Sequence, residues 1–131
     1  MKEQKGNNKG FSLIELIVVI AIMAVLIGVI APQFLGYTEK AKKATDAQNA
    51  QAVASQIQVM IAENDAIKAT DTWVKIDAED AVYKIDNAPE PKQKRGYFWY
   101  KVDDKGNVTI SVGMTADADH YELYPNLNSS Y

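Results

Sequence analysis

An uninterrupted apolar segment near the N-terminus constrains this chain more than any other feature. Sixteen consecutive residues, from Leu16 to Ala31, carry neither a charge nor a polar side chain. A helix from Phe11 to Pro32 would be about 33 Å long at about 1.5 Å per residue, which matches the thickness of a bilayer's hydrocarbon core. The segment can therefore cross a membrane once.

The remainder of the chain has a different composition. About a hundred residues with ordinary charge content follow Pro32, enough for one modest hydrophobic core. Residues 1–10 have a net charge of +2 within a total of −3, so −5 remains from Phe11 onward. The basic end predicts a cytoplasmic N-terminus. The chain has no cysteine, which excludes a disulfide, a thiol nucleophile and a cysteine-based metal site.

Glu15 places a carboxylate inside the apolar part of the chain. Such a group costs about 2.5 to 3.5 kcal/mol at the centre of a membrane helix and less near its end, so we expect a partner. Cleavage before Phe11 would create an α-amino group within about 6 Å of Glu15 along the helix axis. That amine could come from the same chain or from a neighbouring one. The alternative is a glutamate tolerated near the interface by snorkelling.

The residues around Glu15 form an ordered motif that leads directly into the apolar segment: Lys9, Gly10, Phe11, Ser12, Leu13, Ile14 and Glu15. This motif resembles the processing and methylation signature of type IV prepilins and the related pseudopilins. The resemblance implies that a membrane-embedded aspartyl prepilin peptidase cleaves between Gly10 and Phe11 and then methylates the amino group of Phe11. It also implies that Glu15 neutralises the N-terminal amine of an adjacent subunit during assembly.

The resemblance covers roughly the first fifty residues and includes Gly28 and Pro32. Proline lacks a backbone donor and its ring clashes with the carbonyl of Gly28, so we expect the helix to kink or loosen there. In assembled filaments of the family the helix is commonly extended just before this proline. An ordinary kink remains the alternative.

The segment after Gly36 is alanine-rich and amphipathic, and it predicts a helix to about Ala69. Apolar residues recur every three or four positions: Tyr37, Ala41, Ala44, Ala47, Ala50, Ala54, Ile57, Met60 or Ile61, and Ile67. We expect the polar residues to face outward: Glu39, Lys40, Lys42, Lys43, Asp46, Gln48 and Gln51. A helix of about 55 residues, or about 80 Å, is too long for the remaining residues to cover, so its first half must contact lipid or other copies.

The last part of the chain predicts a small sheet. Strand-like alternation over Tyr97–Val102 and Val108–Val112 flanks a hairpin loop in which Gly106 can take a positive φ. Tyr121–Tyr124 is a possible third strand, and Asp77–Ile85 a short helix. Alternate strand residues should pack on the long helix: Phe98, Tyr100, Val102, Val108, Ile110 and Val112. The expected fold class is α+β, a long kinked N-terminal helix with a small antiparallel sheet packed on its C-terminal half.

Basic and aromatic residues near the first strand offer charge and stacking surface of the kind that binds nucleic acid: Lys92, Lys94, Arg95, Lys101, Tyr97, Trp99 and Tyr100. Because the chain from Phe11 onward is acidic, we expect a solvated strand edge and no nucleic-acid binding. Strand alternation places two aromatics of the run Tyr97–Tyr100 on each sheet face. We interpret one pair as core and the other as a subunit contact, in preference to a sugar-binding site.

Four residues near the C-terminal end could offer ligands to calcium: Asp117, Asp119, His120 and Glu122. Their spacing is not that of an EF-hand, and we expect no metal and no cofactor. His120 is the sole histidine, and no nucleophile and base stand out. We therefore expect no enzymatic activity.

Together these features predict the structural subunit of a type IV pilus. Residues 1–10 would be the leader, residues 11–35 the transmembrane and assembly half of the helix, and residues 36–131 the soluble head. The subunit would be a single-pass protein of the cytoplasmic membrane before assembly and part of an extracellular pilus afterwards. The expected partners are other copies of itself, prepilin peptidase, the pilus assembly machinery and membrane lipid. The expected roles are surface adhesion or twitching motility.

Other functions remain open at this point. Within the same family, the alternative is a pseudopilin of a type II secretion or DNA-uptake filament. A secreted binding domain with an ordinary signal peptide would be cleaved near Pro32. A single-span membrane enzyme would need a catalytic set that the sequence does not offer.

Overall fold

The computed structural model describes residues 10–93 and 96–131. It contains one helix, α1, Leu13–Glu63, and four strands: β1 Val74–Lys75, β2 Tyr97–Val102, β3 Val108–Gly113 and β4 Tyr121–Tyr124. Internal contacts group the residues into two compact units, one that ends at Thr38 and one that spans Glu39–Tyr131. The predicted α+β class, a long N-terminal helix followed by a small antiparallel sheet, is confirmed.

The first unit is an apolar helix without a covering layer. The large apolar side chains from Phe11 to Leu35 are 46 to 81% exposed. This helix is long and apolar enough to cross a membrane, and no residue of its most apolar stretch is buried. α1 runs through Pro32 as one continuous helix, so the chain is helical on both sides of this proline.

The sheet of the second unit has the order β1-β2-β3-β4, and every neighbouring pair is antiparallel. The predicted hairpin is confirmed, because Val102 pairs with Val108 and Gly106 has a φ of 88°. Asp103 stabilises the loop by accepting the backbone N–H groups of Lys105 at 2.9 Å and Asn107 at 2.8 Å. The Asn107 side chain, which also donates to this carboxylate, lowers the pKa of Asp103 most.

The hydrophobic core lies between the sheet and the second half of α1. All six strand residues predicted to face the helix are buried, which confirms that prediction. They form one cluster with α1 residues Ala50, Val53, Ala54 and Ile57. Because two of these helix residues are alanines, the strands can approach the helix backbone closely.

Two helix predictions are wrong. α1 ends at Glu63 instead of about Ala69, and Asn64 follows it with its side-chain amide donating to the carbonyl of Met60. Beyond this end, the backbone N–H of Thr70 donates to Val102 at 2.8 Å, so the chain there is drawn to the sheet. This additional pairing precedes β1, a strand that the sequence analysis did not predict.

The short helix expected over Asp77–Ile85 is absent, and turns occupy this segment. Tyr83 and Ile85 are both buried while Lys84 between them is not, a spacing of two that suits extended backbone better than a helix. The N–H of Ile85 donates to the carbonyl of Ile76 at 2.7 Å, which folds the segment back on itself.

A buried tyrosine pair connects this segment to β2. The backbone N–H of Tyr83 donates to the hydroxyl of Tyr100 at 3.0 Å, and the two rings meet edge to face at 6.1 Å. Tyr100 is fully buried, and burial raises the pKa of its phenol. The hydroxyl therefore satisfies a buried donor while remaining protonated at neutral pH.

Tyr100→Phe should destabilise the head by about 1 to 3 kcal/mol, because the Tyr83 N–H loses its acceptor inside the core. Urea unfolding of the full chain in detergent would measure this, with the exposed Tyr97→Phe as the matched control. The pKa of Tyr100 is higher in the folded chain than the unfolded value near 10. The protonated phenol therefore contributes fully to the free energy of unfolding below pH 10, and this contribution is lost as the pH rises toward the folded pKa. The difference in the free energy of unfolding between wild type and Tyr100→Phe should decrease above pH 10. A difference independent of pH would contradict the role of the protonated Tyr100 hydroxyl.

Candidate assembly site and head clasp

The predicted processing site lies just before α1. Gly10 and Phe11 precede the helix and are exposed, Phe11 to 81%. Ser12 is the N-cap of α1, since its hydroxyl accepts the backbone N–H of Glu15 at 3.2 Å. Glu15 is exposed in the first helical turn. The structure thus places these residues at one accessible end of the apolar helix.

Within residues 10–93 and 96–131, packing gives no reason for a glycine at three positions of the first unit. A Cβ added at Gly10, Gly28 or Gly36 would meet nothing within 4 Å, and neither Gly28 nor Gly36 has a positive φ. Gly28 and Gly36 lie inside α1, where a glycine costs about 1 kcal/mol relative to alanine. By contrast, Gly113 is required by packing, because an added Cβ would lie 2.8 Å from the His120 ring. The first three leave backbone surface that a partner could approach closely.

Asp46 corrects the predicted faces of the helix. We expected this residue to face outward, yet it is completely buried. It lies one turn before Ala50 on the face that also buries Ala54 and Ile57. Helical spacing from the buried alanines would have identified the position, whereas its charge suggested the opposite.

The Asp46 carboxylate receives three hydrogen bonds from distant parts of the chain. Oδ1 accepts the backbone N–H of Lys92 at 2.6 Å, and Oδ2 accepts that of Gln93 at 2.9 Å. The Tyr131 hydroxyl also donates to Oδ2, and the Gln93 side-chain amide donates to the Tyr131 carbonyl at 2.6 Å. We call Asp46, Lys92, Gln93 and Tyr131 the Asp46 clasp.

The Asp46 clasp explains how a charged residue is accommodated in the core. Removing a carboxylate from water is unfavourable unless hydrogen bonds replace its hydration. Two backbone amides and a phenol supply them here. The clasp therefore attaches the segment before β2 and the residue Tyr131 to α1, without a covalent cross-link.

Among the described residues near β2, the basic and aromatic side chains do not form a continuous stacking surface. Tyr100 is in the core, and Trp99 is 9% exposed with its indole N–H donating to the carbonyl of Gly113 at 2.8 Å. Tyr97 stays 43% exposed, and the ammonium of Lys75 lies 4.0 Å from its ring centre. Lys94 and Arg95 lie outside the described residues. Of the outer aromatic pair, only Tyr97 is available for a subunit contact.

His120 is held between two tryptophans. Its ring stacks on Trp73 at 4.6 Å between centroids and meets Trp99 edge to face at 5.6 Å. Nδ1 lies 2.7 Å from the Ser111 hydroxyl and Nε2 lies 2.9 Å from the Thr115 carbonyl. Because a carbonyl can only accept, Nε2 carries a proton, and in the neutral ring Nδ1 accepts from Ser111. His120 thus organises the outer sheet face.

The acidic residues near His120 do not converge on an ion. Glu122 accepts the backbone N–H of Asn126 at 3.1 Å, and Asp117 and Asp119 are exposed. Within residues 10–93 and 96–131, no group of three histidine or acidic side chains is arranged to hold a metal ion.

Comparison with known proteins adds to this geometry. Residues 5–31 match the family model of the prokaryotic N-terminal methylation motif. Prepilin peptidase-dependent protein A of Clostridium perfringens is 43% identical over 84 residues, which cover 63% of this chain and 59% of that protein. The match therefore spans less than two thirds of that relative. No solved structure matches the chain.

Two further relatives match over most of their length. Type II secretion system core protein G of Pseudomonas aeruginosa is 30% identical over 125 residues, covering 92% of this chain and 85% of the relative. The type IV narrow pilus major component PilA5 of Thermus thermophilus is 28% identical over 109 residues, covering 83% of this chain and 82% of the relative. The chain belongs to the family of type IV pilins and pseudopilins, which is structural and not enzymatic.

Removing the carboxylate of the Asp46 clasp should destabilise the head strongly. Asp46→Ala leaves two backbone donors and a phenol without their acceptor, and we expect a loss of about 3 kcal/mol or more. Tyr131→Phe removes one of the three donors and should cost about 2 kcal/mol. Urea unfolding would measure both, with the exposed Asp104→Ala as control. An Asp46→Ala chain as stable as the control would contradict the proposed energetics.

Proposed function

We propose that this chain is the structural subunit of a type IV pilus, held in the membrane before assembly and polymerising through the apolar half of α1. The observation that carries the proposal is the exposure of the large apolar side chains from Phe11 to Leu35, attached to a head with its own buried core. Exposed apolar surface is unfavourable in water at about 25 cal/mol per Å². Lipid before assembly and neighbouring copies afterwards would remove it from water.

Processing would precede assembly. We propose that prepilin peptidase removes residues 1–10 by cleaving between Gly10 and Phe11, and that the amino group of Phe11 is methylated. Among the described residues, none lies close enough to Gly10 to require a glycine there. This supports the proposal, because a partner that approaches the backbone closely would account for the glycine. Residues 11–35 would be the membrane and assembly segment, and residues 36–131 the head.

Glu15, Gly28 and Pro32 would act during assembly. Glu15 would neutralise the N-terminal amine of an adjacent subunit, since a carboxylate transferred into an apolar filament core needs a partner. Gly28 and Pro32 mark the part of α1 with the weakest helix preference, where the helix could extend as subunits pack. The assembly machinery would draw subunits from the cytoplasmic membrane into an extracellular pilus that serves adhesion or twitching motility.

The second candidate is a pseudopilin of a type II secretion or DNA-uptake filament. The observation that favours it is the 30% identity to a type II secretion core protein over 92% of this chain. Both candidates share processing and polymerisation, so they differ in the length and location of the filament. Electron microscopy of the host would distinguish long surface fibres from a short filament within the envelope.

Intact-mass and N-terminal peptide analysis of protein from the native host should find a mature chain that begins with N-methylated Phe11. The leader should be retained in cells that lack prepilin peptidase. A chain that begins near Pro32, or one that keeps Met1 although the peptidase is active, would contradict the pilin proposal.

Glu15→Gln should separate processing from assembly. The substitution keeps the size of the side chain and removes its charge, so we expect normal removal of the leader and at least a tenfold loss of filaments. A loss of about 1.4 kcal/mol of pairing free energy per subunit already corresponds to a factor of ten. Filament yield would be measured by shearing and electron microscopy. Glu63→Gln at the other end of α1 is the matched control, and full assembly of Glu15→Gln would refute the assigned role.

A further inference from the structure

We infer that Ser12 is a positioning residue for leader removal: as the N-cap of α1, it keeps the Gly10–Phe11 peptide bond outside the helix. This inference rests on the proposed cleavage between those two residues. It adds a requirement that the cleavage site have a defined backbone conformation, set by a side chain one residue beyond the new N-terminus.

Two hydrogen bonds identify Ser12 as the N-cap of α1. Its hydroxyl accepts the N–H of Glu15 at 3.2 Å, and its carbonyl accepts the N–H of Leu16 at 3.1 Å, the first bond of the helical ladder. Helical geometry begins at the next residue, Leu13. Serine followed three positions later by glutamate is also the spacing of a capping box, so the acid assigned to assembly occupies the N3 position of this cap.

The cap determines what a peptidase would meet. Gly10 lies outside the helix with open space around its Cα, and Phe11 is 81% exposed. Binding sites for peptides commonly take the segment in an extended form, using its backbone groups. A peptide bond within a helix has those groups already engaged. Ser12 therefore separates an accessible scissile bond from the apolar helix that follows at once.

Without the cap this boundary would move. Alanine at position 12 favours helix and offers no acceptor to the Glu15 N–H. Gly10 and Asn8 are the nearest residues of capping type that lie upstream. A helix capped by either of them would engage the carbonyl of the Gly10–Phe11 bond, so a smaller fraction of the chains would present that bond in a cleavable form.

The test is the rate of leader removal in the full chain, co-expressed in membranes with a limiting amount of prepilin peptidase and followed by pulse-chase. Loss of a typical cap changes the equilibrium constant between the non-helical and helical forms of the site by a factor of about five, so Ser12→Ala should be processed up to about fivefold more slowly than wild type. Ser12→Asp keeps an N-cap acceptor and should restore the rate. Ser55→Ala, an exposed serine on the same helix, is the matched control and should have no effect.

A second measurement reports conformation directly. The ¹³Cα chemical shifts of Gly10 and Phe11, measured on the uncleaved chain in detergent micelles, should move toward helical values in Ser12→Ala and return in Ser12→Asp. Shifts in the head should not change.

The outcomes separate the two proposals. If wild type is cleaved between Gly10 and Phe11 but Ser12→Ala is cleaved equally fast, or Ser12→Asp is as slow as Ser12→Ala, the positioning role is refuted and the pilin proposal stands. If wild type is not cleaved there, the proposed function itself fails. A slow Ser12→Ala with rescue by Ser12→Asp supports the inference.

Discussion

Burial of α1 by the sheet is the interaction on which the head depends, and it is confined to the second half of the helix. Ala50, Val53, Ala54 and Ile57 lie under the strands, whereas the apolar residues from Phe11 to Leu35 are exposed. The sheet has four short strands. Along its β4 edge, the backbone N–H of Asn128 donates to the carbonyl of Glu122, so the C-terminal segment covers part of this edge. A head of this size can bury one stretch of helix, so the remainder must be covered by something other than this chain.

The Asp46 clasp shows how this head is closed without cysteine. The chain has no cysteine, so no disulfide can hold the head together. Here a buried carboxylate connects α1 to the segment before β2 and to Tyr131 by hydrogen bonds. A disulfide acts mainly on the unfolded chain, whereas these bonds form only with the fold. The closure is therefore cooperative with the core and needs no oxidising environment.

Sequence reasoning reached those parts of the fold in which polarity and burial agree. The alternation of Phe98, Tyr100 and Val102 and the loop glycine Gly106 predicted the hairpin and its inward face correctly. Sequence reasoning failed at Asp46, where helical position and charge conflict. Only the folded chain shows that the backbone amides of Lys92 and Gln93 reach the Asp46 carboxylate. It also failed at Asp77–Ile85, where acidic residues typical of a first helical turn precede residues buried at a spacing of two.

The residues that the isolated fold does not explain are those that assembly would use. Asp46 and Gly113 have reasons inside the chain, since each is enclosed by its own neighbours. Among the described residues, none lies within 4 Å of a Cβ added at Gly10 or Gly28. Pro32 cannot donate a backbone hydrogen bond, yet the helix continues past it. Residues that lower the stability of the single chain persist when another state needs them. The proposed processing would need a small, non-helical residue before Phe11, and packing in the proposed filament would need a helix that can adapt. Both requirements would then fall in the unit that has no core of its own.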